Sequence, residues 1–324
     1  DFAVKPSTER SHSTFYYQSG LEIAAMMLDY WNATEDETFL QSIAIPFSNE
    51  ILIGYCEHYR KDENGKLYME PAQALETYWD VVNPTPDIAG LKYLTAKLLD
   101  LNVQYGTKKD RLFWQQIRNA TPEIPTRIVD GVEIISPAER IIDPIRHNWE
   151  CPELYAIFPY RQFGLGLEGL ELARHTYEKR EEKRTGGWFY PGVMAASLGL
   201  AEEAAKIVHI NFSIENAVSV GVEGHSIPPD EYRFPTFLGP NCDWVPDQDQ
   251  PSLAMIALQK MLLQQPNDQI ILLGAWPQKW SVFFRLYAKR NTVVTGEYGK
   301  GKFKFNITPE SEKNNVQVLS QIEE

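Results

Sequence analysis

The 324-residue chain is poor in the residues that would fix its chemistry early. It has three cysteines, Cys56, Cys151 and Cys242, too few and too scattered for a disulfide framework or a thiolate zinc site. A single Cys151–Cys242 bridge is one reading, and three thiols packed as small hydrophobes is the simpler one. No apolar run reaches the ~20 residues of a membrane span. Basic residues are in deficit: 31 Lys+Arg against 44 Asp+Glu give a formal net charge of -13. No basic face is visible in the sequence, which argues against nucleic acid as a partner. The G-x-S-x-G elbow, the Walker loop, the G-x-G-x-x-G turn, H-E-x-x-H and C-x-x-C are all absent, which removes the common hydrolase, nucleotide, metalloprotease and redox signatures. Neither a metal nor an organic cofactor is implied.

Apolar residues make up 43% and aromatics 12%, enough for a sizeable core. From Thr14 to about Leu263 the apolar spacing is helical. "FYYQSGLEIAAMMLDYW" sets Leu21, Ala24, Ala25 and Leu28 on one face. "DETFLQSIAIPFSNEILIGYCEHY" predicts a helix kinked or started at Pro46, and "TPDIAGLKYLTAKLLDL" opens on a helix-start signature at Thr85–Asp87. Shorter helices are predicted over 109–119, 152–159, 167–181, 189–198, 200–212 and 251–264. Segments 64–84, 121–150 and 213–250 read as loops, and "FGLGLEG" as a turn. After Pro266, "DQIILLGAWP", "SVFFRLYAK", "NTVVTGEY" and "KFKFNIT" read as short antiparallel strands, followed by a polar, peripheral tail. The expected organisation is a helical domain over 1–266 and a β appendage over 267–324. Many helices of similar length with long loops suit an α/α toroid better than a bundle, which prefers short connections.

Carboxylates mixed with aromatics and amides remain, and these suit sugar chemistry. Hydroxyls take paired hydrogen bonds, and sugar faces stack on rings. "GPNCDWVPDQDQPSLAMIALQKMLLQ" crowds Asp243, Asp247 and Asp249, with Trp244, ahead of an apolar helix. Pro251 suits a first helical turn, which puts Asp249 or Gln250 at the cap, and Asp249 is either that cap or a base kept ionised by the helix amides. In residues 130–161, Glu139 lies among apolar neighbours that would keep it protonated as a general acid, or it is a loop glutamate paired with Arg140. Glu150 and Glu153 stand nearby, Glu150 also being readable as part of a helix start at Pro152, and His147 as a structural hydrogen-bonder. Residues 69–91 place Glu76, Trp79, Asn83 and Asp87 in one segment as a sugar subsite, or as a solvated loop closed by a cap at Asp87. Trp188 adds a further candidate stacking ring. Asn-x-Ser/Thr occurs at Asn32, Asn119, Asn211 and Asn306, compatible with a secreted glycoprotein. The start at Asp1, without methionine, suggests a processed or truncated product.

"SLAMIALQKMLLQ" followed by "DQIILLGAWPQKW" resembles the junction of catalytic and β domains in family-95 glycoside hydrolases, the α-L-fucosidase and α-L-galactosidase group. "LETYWDVVNPTPDIAGL", "CPELYAIFPYRQFGLG" and "FLGPNCDWVPDQDQ" resemble a related group of bacterial extracellular proteins. The resemblance covers roughly residues 15 to 305. It implies a mainly α fold, an (α/α)6 barrel followed by a small antiparallel β domain. It implies inverting hydrolysis of an α-linked L-sugar or deoxysugar from an oligo- or polysaccharide, outside the cytoplasm. Asp249 aligns with the family's base and Glu139 with its acid, although the family's His-Arg-His run is missing beside Glu139. Fewer helices are readable than the barrel needs, so a segment before Asp1 would complete it. A carbohydrate-binding protein without catalysis is the rival reading. A phosphorylase would need a basic phosphate site, and "DWVPDQDQ" is acidic.

Overall fold

The computed structural model describes residues 11, 13–186, 188–213, 220–222, 225–227, 237 and 247–319. Two compact units are present, Asp1–Gln162 with Glu178–Glu182, and Phe163–Tyr177 with Lys183–Glu324. The change of pattern at 266 lies inside the second.

In the first unit, α1 (Ser19–Thr34) buries Leu21, Ala24, Ala25 and Leu28, the predicted stripe. A short α2 (Glu37–Phe39) starts where Asp36 caps the Phe39 N–H at 2.9 Å. The next turn, Leu40–Ala44, is a π-helix that runs into α3 (Ile45–His58), with the Ile45 N–H donating to Leu40 O. Pro46 lacks an N–H and crowds the preceding turn. The widened turn just before it is how the chain continues without a break. A hairpin of β1 (Arg60–Lys61) and β2 (Leu67–Tyr68) leads to β3 (Ala72–Ala74) and β4 (Tyr78–Pro84). Then α4 (Thr85–Asp100) begins, buried from its first residue through Leu91. The amphipathic α5 (Lys108–Ala120) opens on a capping box of Thr107 and Asp110, and buries Trp114, Ile117 and Ala120.

The expected loops over 64–84 and 121–150 are corrected here. Strand β4 is the centre of an antiparallel sheet ordered β3, β4 and β7 (Ala138–Ile141), while β5 (Thr126–Val129) and β6 (Val132–Ile135) form a hairpin. Its turn is Asp130-Gly131, with φ of 50° and 78°. Two positive φ values match the turn to the strand twist, which is why Asp-Gly stands there. Residues 152–156 are a single 3-10 turn, shorter than the helix expected over 152–159.

In the second unit, residues 163–169 are turns, as the glycines of "FGLGLEG" suggest. Helix α6 (Leu170–Lys179) follows, its last two residues clustering with the first unit. Helices α7 (Pro191–Ser197), α8 (Ala201–Phe212) and α9 (Asp249–Leu262) pack together, and β8 (Val220–Val222) pairs with β9 (His225–Ile227). Strand β11 (Ile270–Leu272) pairs antiparallel with β10 (Leu263–Gln264) and parallel with β15 (Val316–Val318). Thus the tail expected to be peripheral adds a strand, and one pairing in the β region is parallel, contrary to an all-antiparallel appendage. A separate antiparallel sheet, β12 (Val282–Ala288), β13 (Thr292–Gly299) and β14 (Lys302–Thr308), completes the unit. At its centre a Cβ on Gly296 would come within 2.5 Å of the Phe284 ring, so only glycine lets that ring lie across the strand. The architecture is helix-rich with small sheets, and no helix is long and apolar enough to cross a membrane among the described residues.

Candidate functional site

Four carboxylates of the first unit gather around one phenol. Tyr16 ionises above its ordinary range because it is buried and because Glu150, Glu22, Glu76 and Asp87 all repel its anion. They come from α1 (Glu22), the turn before β4 (Glu76), the first turn of α4 (Asp87) and the approach to the 3-10 turn (Glu150). Sequence position alone would not have grouped them.

Glu150 is the best held. Its Oε2 accepts from the Glu76 backbone N–H at 2.9 Å and from Thr77 Oγ1 at 3.1 Å. Burial outweighs these bonds and, with repulsion from Glu76 and Glu22, pushes its pKa up to about 7. Arg146 donates to the Glu150 main-chain carbonyl at 2.9 Å. Glu76 Oε2 accepts from Asn148 Nδ2 at 3.0 Å, and its carbonyl accepts from Trp79 Nε1 at 2.7 Å. The Trp79 ring lies flat on His147, with centroids 3.7 Å apart and planes 10° from parallel. Trp149, next to Glu150, is 44% exposed. A carboxyl with a raised pKa, a second carboxylate, an amide and a partly exposed indole therefore share one short stretch of chain and its partners.

Deeper in, Asp87 is 3% exposed and accepts from the Tyr55 hydroxyl. Burial pushes its pKa up to about 7, against the pull of that hydrogen bond. Asp87 Oδ2, Tyr59 OH and Gln18 Oε1 have no hydrogen-bond partner among the described residues. Asp87 is thus neither a solvated cap nor, with its exposure, a surface subsite residue. The N-cap of α4 is Pro84, without a side-chain bond.

Of the two carboxylates predicted to carry catalysis, Glu139 belongs to the first unit and Asp249 to the second. Glu139 is on the exposed side of β7, and its Oε2 accepts from Asn83 Nδ2 at 2.7 Å. Apolar walls are not its environment, because the neighbouring Ile134, Ile135 and Ala138 turn their side chains into the core. Asn83 itself is 4% exposed at a φ of 50°, and its Oδ1 accepts from the Met69 N–H at 2.8 Å, so it links β4 to the preceding loop. Asp249 is the first residue of α9, two residues ahead of the predicted start at 251, and it is exposed. Its pKa is raised by partial burial and by the charge of Asp247, where helix amides were expected to lower it. The N-cap is Gln248 rather than Asp249 or Gln250, and Asp247 Oδ1 accepts from the Asp249 N–H at 2.7 Å. The two side chains stand two residues apart, and partial burial, with the Asp247 charge second, raises the Asp249 pKa.

Glu153 is 3% exposed inside the 3-10 turn, with its pKa raised by burial. It faces Arg146 and Arg127 and is built into the core rather than a subsite. Trp188 is half-buried, its ring 4.4 Å from Phe189. Trp244, Asp243 and Cys242 lie outside the described residues; Cys56 and Cys151 are free thiols. No set of three or more His, Cys, Asp or Glu side chains placed to hold a metal occurs among the described residues.

Glu22 and Tyr16 were not among the predicted residues. Gln18 and Glu22 lie one turn apart beside the apolar stripe of α1, and Gln18 Nε2 donates to Glu22 Oε1 at 2.9 Å. A carboxylate set in a buried stripe was the readable sign. No known protein family and no curated protein matches the chain.

Proposed function

We propose that the chain is a glycoside hydrolase in which Glu150 is the general acid. The observation that supports this is the Glu150 carboxyl itself, pushed up to about 7 beside a second carboxylate and next to the partly exposed Trp149. A carboxylic acid that keeps its proton near neutrality can deliver it to a departing glycosidic oxygen. The role moves from Glu139 to Glu150, because Glu139 is exposed and held by Asn83. Asp249 keeps the role of base that the family-95 resemblance gives it, as do the inverting outcome, the α-linked L- or deoxysugar substrate, the (α/α)6 barrel and the extracytoplasmic setting. Glu76, Trp79 and Asn148 would line the subsite around the acid, with Trp149 as a stacking ring.

The decisive experiment is Glu150→Gln, assayed for release of monosaccharide from fucosylated and galactosylated oligosaccharides beside titration calorimetry with the same sugars. Loss of about 10²- to 10⁴-fold in turnover with binding retained supports the acid role. Unchanged turnover removes it.

A carbohydrate-binding protein without catalysis is the second reading. The exposure of both Glu139 and Asp249 favours it. Calorimetric binding with no product from the wild-type protein would establish it.

A further inference from the structure

The sheet of β12, β13 and β14 has two unlike faces. Inward lie Phe284, Val294 and Ile307, all buried, with Phe284 and Phe303 stacked 6.3 Å apart. Outward, the register sets Phe283 opposite Glu297 and Lys304, Arg285 opposite Thr295 and Asn306, and Tyr287 opposite Val293 and Thr308. Phe283 is 73% and Tyr287 64% exposed, and the Arg285 guanidinium stacks 5.4 Å from the Tyr287 ring centroid. Single exposed aromatics are ordinary. Two on one face of one strand, alternating with a cation, are not a scatter.

The charge of this sheet runs against that of the chain. Residues 282–308 hold six basic side chains and one acid, Glu297, in a protein of formal net charge -13. Lys289 and Arg290 are occupied, pairing with Asp268 and Glu312. Arg285, Lys300, Lys302 and Lys304 have no carboxylate within ion-pair distance among the described residues, and all four are exposed.

We infer that the outer face of the β12–β14 sheet is a docking surface for an anionic polysaccharide. Phe283 and Tyr287 stand ~13 Å apart along the strand at the usual rise. Each can therefore take its own sugar face, while Arg285 between them and Lys302 and Lys304 two strands away meet the carboxylate or sulfate groups. A polynucleotide fits less well, since its dense phosphates need a longer basic track and the rest of the chain would repel them. A second copy of the chain is disfavoured too, because two such faces meet with like charge. The inference goes beyond the hydrolase reading and stands whether or not Glu150 acts as an acid.

The test is affinity electrophoresis of the full chain in gels containing polygalacturonate, ι-carrageenan or neutral galactan, with fluorescence anisotropy on oligo(dT) and sedimentation for self-association. Retardation by either anionic polymer, weakening with salt and absent in galactan, is expected. Phe283→Ala with Tyr287→Ala, and separately Lys302→Glu with Lys304→Glu, should each lower the affinity about tenfold or more. These side chains leave the inner face intact, so both double variants should melt with the wild type, and a third, Glu297→Gln, should bind at least as tightly. No retardation by either anionic polymer, equal retardation by galactan, tighter binding to oligo(dT), or a concentration-dependent dimer lost in the aromatic variant would each overturn the inference. Hydrolysis of small substrates by these variants should be unchanged, which separates this result from the fate of Glu150.

Discussion

The backbone N–H of Glu76 donates to Glu150 Oε2 at 2.9 Å, while the side-chain carboxylate of the same residue raises the Glu150 pKa. One residue thus both holds and charges its partner. Replacing Glu76 with Gln keeps the N–H and an acceptor for Asn148 but removes the negative charge. The Glu150 pKa should fall from about 7 towards the ordinary carboxylate range. If Glu150 is the acid, the alkaline limb of kcat/KM moves to lower pH in Glu76→Gln. A limb that stays in place would show that Glu150 does not set it.

Asp87 gives a stability prediction. Its carboxyl titrates near 3.8 when unfolded and at about 7 when folded. Between those values the unfolded chain has released a proton that the folded chain keeps, so stability declines as pH rises from about 4 to about 7, then levels off. The shift corresponds to up to ~4 kcal/mol. Glu150 contributes in the same direction. Asp110, Glu123, Asp268 and Glu312, whose pKa values are lowered, act only in the more acidic range. Urea unfolding of Asp87→Asn between pH 5 and 8 should therefore show a shallower pH slope than the wild type. Equal slopes would place the titration elsewhere.

Asn83 carries two separable burdens, a positive φ and a pair of hydrogen bonds, to the Met69 N–H and Glu139. Asn83→Ala loses both and strands a buried N–H, which should cost about 2–4 kcal/mol. Asn83→Gly restores the backbone conformation alone and should recover roughly 1 kcal/mol of that. Chemical denaturation of the pair measures the split. Equal stabilities would mean that the φ carries no strain.

Helix positions were legible because their information is local. The stripe of α1 and the start of α4 at Thr85 follow from spacing and proline within a few residues, and Pro251 placed the start of α9 to within two residues. The Asp130-Gly131 hairpin was equally local, and only its burial inside a loop-like composition concealed it. Strand β4 could not be read in the same way, since its partners are β3 on one side and β7 about sixty residues later on the other. The carboxylate site shares that limit. Asp87, Glu76 and Glu150 were readable as candidates, but which of them keeps a proton depends on burial and on Glu22 from a different helix.

Asp249 and Asp247 carry the last prediction. Asp247 Oδ1 accepts from the Asp249 N–H, and its charge helps keep the Asp249 proton on. Asp247→Asn preserves an oxygen at the same place and removes the charge, so the Asp249 pKa should drop. If Asp249 is the base, easier ionisation extends activity to lower pH, and the acid limb of kcat/KM should move down in this variant while the alkaline limb, which the proposal assigns to Glu150, stays. Asp249→Asn removes the proton acceptor but keeps the shape, so turnover should be lost with sugar binding retained in calorimetry. Wild-type turnover in Asp249→Asn would take the base role from Asp249 and leave Glu76, the carboxylate already bound to the acid's loop, as the group to replace next.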